Sequence, residues 1–84
     1  KINSVYPNPF NPVATINIDI PSNEKFNLSI FDVKGSLIEQ IYEGKKVAGN
    51  YTFNWDGSNY SSGMYLVKLS YNNNHNSHKI MLVK

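Results

Sequence analysis

The chain has 84 residues, which is enough for one domain with one hydrophobic core. It has no cysteine, so a disulfide framework and a cysteine-ligated zinc site are both excluded. Its eight basic residues are all lysines and stand against six acidic residues, which gives a net charge of +2. So weak and scattered a positive charge, without arginine, argues against a nucleic-acid partner.

Apolar and polar residues alternate along most of the chain, which is the period of a β-strand, and no stretch keeps a helical period. In the clearest run, Ala14, Ile16 and Ile18 point one way, and Pro21 ends the strand because it lacks a backbone donor. The alternation predicts seven strands, at residues 2–6, 13–20, 25–32, 37–42, 50–55, 63–71 and 77–83.

Polar stretches between these runs predict turns, at residues 21–23, 33–35, 44–49, 56–63 and 72–76. Strands that recur every eight to twelve residues or so, with polar turns between them, indicate a sandwich or a barrel. No helical segment is present to make the crossover that parallel neighbours need. The sequence therefore predicts an all-β fold, a seven-stranded antiparallel β-sandwich.

The aromatic residues favour burial over an exposed binding platform. Tyr51, Phe53 and Trp55 recur at every second position, so they share one face of a strand. Exposed rings on a flat sheet can stack on a sugar, but a domain this small needs such rings for its core. We therefore expect this stripe to face inward and Tyr60, in a loop, to be the exposed aromatic residue.

The acidic residues form no catalytic pair. Asp32 and Asp56 stand at predicted strand ends, where an aspartate commonly accepts hydrogen bonds from the backbone of its own turn. Glu24, Glu39 and Glu43 are expected to be solvated surface residues. Without paired carboxylates, the sequence offers no arrangement for acid–base catalysis.

Other chemical motifs are incomplete. His75 and His78 are three positions apart in a predicted turn and strand, so alternation places them on opposite faces rather than around one metal ion. Residues 56–59 lack the acidic ligands of a calcium loop, and Ser61 and Ser62 are not in a nucleophile elbow. We expect no enzyme activity, no cofactor, no metal site and no small-molecule substrate.

The most unusual stretch of the chain is Tyr6-Pro7-Asn8-Pro9-Phe10-Asn11-Pro12. Its three prolines fix φ, exclude a helix and remove backbone donors, so it must run as a rigid edge or crossover with Phe10 as its apolar anchor. This segment resembles the YPNPFNP opening of the C-terminal sorting domains (type A) of the bacterial type IX (Por) secretion system.

The resemblance extends along the whole chain. Residues 15–18 are similar to the strand that follows this opening, and residues 30–35 to the family's I-[YF]-D-x-x-G hairpin. Residues 48–57 are similar to its A-G-x-Y and W-D-G block, and residues 62–69 to S-G-x-Y-x-x-x-L. Residues 78–84 resemble the closing strand, except that His78 stands where many members carry lysine or arginine. The matching residues with structural roles are Pro7, Asn8, Pro9, Phe10, Asp32, Gly35, Gly49, Tyr51, Trp55, Asp56, Gly57, Gly63 and Tyr65.

The resemblance implies a fold and a function. The fold would be an immunoglobulin-like sandwich, with residues 1–84 forming a single sorting domain excised from a longer secreted protein. The domain would direct a cargo protein from the periplasm through the outer-membrane translocon to the cell surface or the medium. Its partners would be the translocon, a sortase-like peptidase and the covalently linked upstream cargo. The recognition residues would be the closing ones: Lys79, Ile80, Met81, Leu82, Val83 and Lys84.

A second interpretation comes from a different class of protein. The immunoglobulin-like domains of flagellar hook-capping proteins, and structural modules of extracellular enzymes, resemble this chain in the N-P-[FL]-N-P opening and the W-D-G block. In that case the domain would be a passive spacer or an assembly contact. Whether Lys84 is the C-terminus of the parent protein would discriminate the two, since sorting domains end there.

Overall fold

The computed structural model describes residues 1–84 and contains seven strands and no helix. No element therefore has the helical length and apolar character that crossing a membrane as a helix requires. The strands are β1 (Ile2–Tyr6), β2 (Val13–Ile20), β3 (Glu24–Asp32), β4 (Leu37–Lys46), β5 (Gly49–Asp56), β6 (Gly63–Tyr71) and β7 (Asn74–Leu82).

The strands form two sheets that pack face to face. One sheet has three strands in the order β1-β2-β5, and the other has four in the order β4-β3-β6-β7. Every pair of neighbouring strands is antiparallel. The all-β, seven-stranded antiparallel sandwich predicted from the sequence is confirmed, in an arrangement of immunoglobulin-like type.

The core lies between the sheets and consists of the residues that alternation places on the inner faces. Fifteen buried apolar side chains form one continuous cluster, with no charged residue among them. Because both inner faces supply large β-branched and aromatic side chains, this chain needs no cysteine to close its core. The members are Val5, Phe10, Ala14, Ile16, Ile18, Ile20, Phe26, Leu28, Ile30, Trp55, Tyr65, Val67, Leu69, Ile80 and Leu82.

The aromatic stripe on β5 faces inward, as predicted. Trp55 is only 1% exposed, while Tyr51 and Phe53 are half-buried and pack against the core. The expectation for Tyr60 was wrong, because its ring is half-buried with its centroid 5.6 Å from that of Trp55. A turn that Gly57 starts carries Tyr60 back over the core, since the Tyr60 N–H donates to the Gly57 carbonyl at 3.0 Å.

Two predicted turns are shorter than expected. The turn at 44–49 was placed too early, because β4 continues to Lys46 in register with Glu24 at the start of β3. The final hairpin turns on Asn72 and Asn73 alone, and β7 begins at Asn74 rather than at residue 77. Asn72 adopts φ 56°, a left-handed conformation that asparagine tolerates better than most residues. In both places strand pairing prevails over local polar composition.

Replacing Trp55 tests this core directly. We expect Trp55→Ala to lower the free energy of unfolding by about 3–5 kcal/mol, as truncation of a buried aromatic side chain does. Urea denaturation followed by circular dichroism measures the change. The matched control is Tyr6→Ala, because the Tyr6 side chain is 53% exposed. If Trp55→Ala were no more destabilising than Tyr6→Ala, the assignment of the inner face would be wrong.

Candidate functional site at the closing end of the sandwich

The two ends of the sandwich differ in which sequence motifs they carry. One end, which we call the closing end, is formed by residues 7–12, 33–36, 57–62 and 83–84; the opposite end holds residues 21–23, 47–48 and 72–73 together with Lys1. Of the thirteen matching residues with structural roles, Gly49 and Tyr51 lie at the opposite end, where the Tyr51 O–H donates to the Val47 carbonyl at 2.6 Å. The other eleven lie toward the closing end, although the matching segments 15–18 and 62–69 extend along their strands toward the opposite end.

Residues 7–12, the proline segment, run along the outer edge of β7 and cap it. The Asn8 side chain accepts a hydrogen bond from the Met81 N–H at 3.0 Å and donates to the Lys79 carbonyl at 3.3 Å. The Phe10 N–H donates to the Met81 carbonyl at 2.9 Å, and the Val83 N–H donates to the Phe10 carbonyl at 3.0 Å. The part of β7 that would otherwise present free backbone groups to solvent is therefore occupied.

Phe10 anchors the proline segment in the core. Its ring is 1% exposed and lies with its centroid 5.4 Å from that of Trp55. Gly57 makes room for it, since a Cβ at Gly57 would lie 3.1 Å from Leu82 Cδ2 and 3.3 Å from Phe10 Cε2. The Gly57 N–H also donates to the Pro12 carbonyl at 2.8 Å. The proline opening and the W-D-G block thus form one packing unit around the end of β7.

The hairpin from β3 to β4 is closed by Asp32 and Gly35. Asp32 Oδ1 accepts hydrogen bonds from the Lys34 and Ser36 N–H groups, each at 2.9 Å. Gly35 takes φ 89°, a conformation that glycine adopts readily because it has no Cβ. Asp32 is therefore occupied in capping its own turn.

The loop after Asp56 is closed in a similar way. Asp56 Oδ1 accepts hydrogen bonds from the Ser58 hydroxyl and, at 2.9 Å, from the Ser58 N–H, and these bonds hold the pKa of the Asp56 carboxyl below its ordinary value. Gly63 begins β6, and the Tyr65 O–H donates to the Ser61 carbonyl at 2.6 Å. Short local bonds thus fix the loop that surrounds the last residues of the chain.

The six closing residues divide into buried and accessible side chains. Ile80 and Leu82 are fully buried in the core. Met81 is half-buried, and Lys79, Val83 and Lys84 are exposed. The Lys84 N–H donates to Ser62 Oγ at 3.1 Å, and its Nζ donates to the Ser58 carbonyl. A partner that binds the folded domain can therefore contact Lys79, Met81, Val83 and Lys84, but not Ile80 or Leu82.

Two contacts at this end were missed by sequence reasoning. The first is the contact of the Asn8 side chain with the backbone of β7. The position of Asn8 between two prolines was visible in the sequence, but its partners on β7 were not. The second is Glu39, which is exposed as expected but also accepts hydrogen bonds from the Trp55 indole N–H at 3.1 Å and from the Tyr60 O–H at 3.2 Å. Burial of the phenol, and to a smaller extent this hydrogen bond to Glu39, raise the pKa of Tyr60 above its ordinary value of 10.0.

The histidines and carboxylates do not converge. No group of three or more His, Asp or Glu side chains is placed to hold a metal ion. His78 is half-buried on the inner side of β7, while His75 is exposed with its Nδ1 3.1 Å from Ser70 Oγ. The two imidazoles thus lie on opposite faces of the strand, as the alternation predicted.

Gly57→Ala tests the packing unit around Phe10. We expect a loss of about 1–3 kcal/mol in the free energy of unfolding, because the added methyl group would overpack against Leu82 and Phe10. Gly49→Ala is the matched control, since a Cβ there would find its nearest neighbour, the Tyr51 Oη, at an ordinary 3.7 Å. Thermal unfolding compares the two variants. Equal melting temperatures would contradict the close contact at Gly57.

The Tyr60 phenol provides a test by titration. Because its pKa is raised in the folded chain, folding is favoured below the ordinary pKa of tyrosine, and this contribution is lost as the pH rises through the raised value. We expect Glu39→Gln to lower the pKa of Tyr60 partway, leaving the part due to burial, while Glu43→Gln leaves it unchanged. NMR of ring-labelled tyrosine measures each titration. A Tyr60 titration unaffected by Glu39→Gln would show that the Glu39 carboxylate does not act on the phenol.

Comparison with known proteins agrees with the motifs that converge at the closing end. The family model described as "Secretion system C-terminal sorting domain" matches residues 4–84, which is nearly the whole chain. Searches of curated proteins and of solved structures gave no match. Since this match includes strands of both sheets, the chain belongs to the family of C-terminal sorting domains, the sorting signals carried by cargo proteins of the type IX secretion system.

Proposed function

We propose that the type IX machinery recognises this domain at its closing end, through the accessible side chains of the closing residues Lys79, Met81, Val83 and Lys84. The observation that carries the proposal is that the proline segment, the W-D-G block and the S-G-x-Y strand all pack around the end of β7. Matching residues that serve only to hold a sandwich together would be expected along the whole core, whereas eleven of the thirteen lie toward this end.

The direction of the chain supports the same proposal. Members of the family follow an upstream cargo, and β1 begins at the opposite end of a domain whose longest extent is 37 Å. Cargo joined before Ile2 would therefore lie far from Val83 and Lys84. The closing end stays accessible to a partner while the cargo is attached.

The mode of recognition follows from the capped edge of β7. Partners often bind a sheet by adding a strand to its free edge. Here the Met81 N–H and carbonyl are already bonded to Asn8 and Phe10, so an added strand would first have to displace the proline segment. We therefore infer that the translocon binds the folded domain through its side chains rather than by strand addition at residues 79–83.

The wider route follows from family membership. A type IX sorting domain belongs to a cargo that is secreted or displayed at the cell surface. We infer that residues 1–84 are one domain excised from a longer protein, which crosses the periplasm before reaching the outer-membrane translocon. A sortase-like peptidase would act on the junction with the cargo. The family is not enzymatic, and we infer that the domain has no activity of its own.

A charge placed at the closing end should impair sorting without unfolding the domain. The assay fuses the 84-residue chain to a periplasm-targeted reporter in a type IX-competent bacterium. We expect Val83→Asp to reduce surface display of the reporter by about tenfold or more. The reason is that the new carboxylate would have to be desolvated at the contact with the machinery. Val47→Asp is the matched control. The two valines are similarly exposed, at 46% and 66%, but lie at opposite ends. Surface fluorescence and periplasmic fractions measure the outcome.

Deleting residues 81–84 should also retain the reporter in the periplasm, but it removes buried Leu82 and the bonds to Asn8 and Phe10, so lost sorting could reflect unfolding. Exchanging both Lys79 and Lys84 for Gln keeps the apolar packing and tests the two charges separately. If the Val83→Asp fusion and the truncated fusion were both displayed normally, the closing residues would be excluded as the signal. An intact fusion that stays in the periplasm, while native cargo is exported, would favour the spacer interpretation.

A further inference from the structure

The two outer faces of the sandwich differ sharply in chemistry. The outer face of the three-stranded sheet is covered by amides and hydroxyls that bond to one another. The Asn3 and Asn17 side chains are joined at 2.8 Å, as are those of Asn17 and Asn50, and the Thr15 hydroxyl donates to Asn54 at 3.0 Å. This face has few unsatisfied groups to offer a partner.

The outer face of the four-stranded sheet is apolar near the closing end. A shallow cavity of about 370 Å³ lies there, lined by Val33, Met64, Leu66 and Lys79, which we call the outer patch. Val33 and Met64 are both exposed, at 67% and 37%. Met64 pairs in register with Met81, and Leu66 with Lys79, so the outer patch is continuous with the closing residues.

The charged side chains beside the outer patch are lysines. Lys79 lines the cavity, and Lys68 lies beside it with its Nζ 4.7 Å from the centroid of the Phe31 ring. Glu43 is on the same face, but it pairs with Asn27 nearer the opposite end of the sheet. Asp32 precedes Val33, but its Oδ1 accepts hydrogen bonds from the Lys34 and Ser36 N–H groups of its own turn. Apolar side chains flanked by lysines, with the neighbouring Asp32 carboxylate bonded within its own turn, are complementary to an apolar side chain flanked by acidic residues.

We propose that the outer patch is a docking site for a protein partner that inserts an apolar side chain flanked by carboxylates, and that this partner is the type IX translocon. The proposal rests on the function proposed above and specifies its partner chemistry. Methionine suits such a site, since its unbranched thioether adapts to an inserted side chain. Lys79 and Met81 are then recognised together with Val33, Met64 and Leu66, which lie outside the closing residues.

A protein partner is favoured over an anionic lipid surface. Electrostatic binding to lipid usually takes a cluster of roughly four to eight basic residues, whereas the outer patch has Lys79 on its lining and Lys68 beside it. Lys25 and Lys45 are on the same face but pair with each other near its opposite end, so the lysines do not form one cluster. The outer patch is also a depression, which accepts a protruding side chain, rather than a projecting apolar tip that could insert among acyl chains. The net charge of +2 adds little long-range attraction.

The test measures binding of the purified reporter fusion, carrying the full chain, to detergent-solubilised type IX translocon. We expect Met64→Glu to weaken binding by about tenfold or more, because it adds a like charge to the contact. Lys79→Glu should weaken binding several-fold more than Lys79→Gln, since only the former repels a carboxylate. Lys45→Glu is the matched control, because Lys45 is exposed on β4 toward the opposite end. Thermal unfolding of each variant checks its fold. Because the Lys79 side chain is exposed, its variants keep the test valid if Met64→Glu unfolds.

Each contrary result has a distinct meaning. Wild-type affinity of Met64→Glu, with Val83→Asp still defective in sorting, would overturn the outer patch alone. Equal binding by Lys79→Glu and Lys79→Gln would exclude an acidic partner. Competition by phosphatidylglycerol vesicles, or a patch-dependent dimer in sedimentation, would replace the proposed occupant by lipid or by a second copy. Absence of both binding and sorting by the intact fusion would overturn this proposal together with the proposed function.

Discussion

The contact of Phe10 with Trp55, Gly57 and Leu82 is the constraint on which the closing end depends. The three prolines prevent residues 7–12 from joining a sheet as a regular strand, so the segment can be held only by side-chain burial and by a few bonds to β7. Phe10 supplies the burial, and Gly57 supplies the space for it. Once the Phe10 ring is in the core, the Phe10 backbone and the Asn8 side chain form hydrogen bonds with the outer edge of β7. Packing thereby determines which backbone groups of the closing residues remain free.

The capped edge also limits unwanted pairing with other chains, to which every sandwich with exposed edge strands is prone. An exposed edge strand can pair with another chain, and an exported protein must avoid this before it reaches its destination. At β7 the proline segment occupies the edge at residues 79–83. On β4 the register shifts twice, so that Ile38 and Ile41 interrupt the regular pairing with β3. Bulges of this kind twist an edge strand and hinder the addition of a further strand. The same chain thus protects its two outermost strands in the larger sheet by different means.

Most of the fold could be predicted from the sequence, because alternation depends only on which residues must leave water. Ala14, Ile16 and Ile18 on β2 could be assigned to the core from their period alone, and so could Trp55. The turn boundaries at 44–49 and 72–76 could not be predicted, since they depend on how far the pairing of β4 with β3 and of β7 with β6 extends. The exposure of Tyr60 was misjudged for a related reason: the path of a loop depends on tertiary contacts, here with Trp55 and Glu39.

The site was less accessible to sequence reasoning than the fold, and the reason is physical. The resemblance identified a closing segment, but a list of consecutive residues cannot say which side chains a partner contacts. The β-strand period divides that segment, placing Ile80 and Leu82 in the core and Lys79 and Met81 on the outer face. The register then brings Met64 and Leu66 of β6 beside them, although these residues are far away in the sequence. A recognition surface on a sheet runs across its strands, so a closing motif that follows one strand contains only part of it.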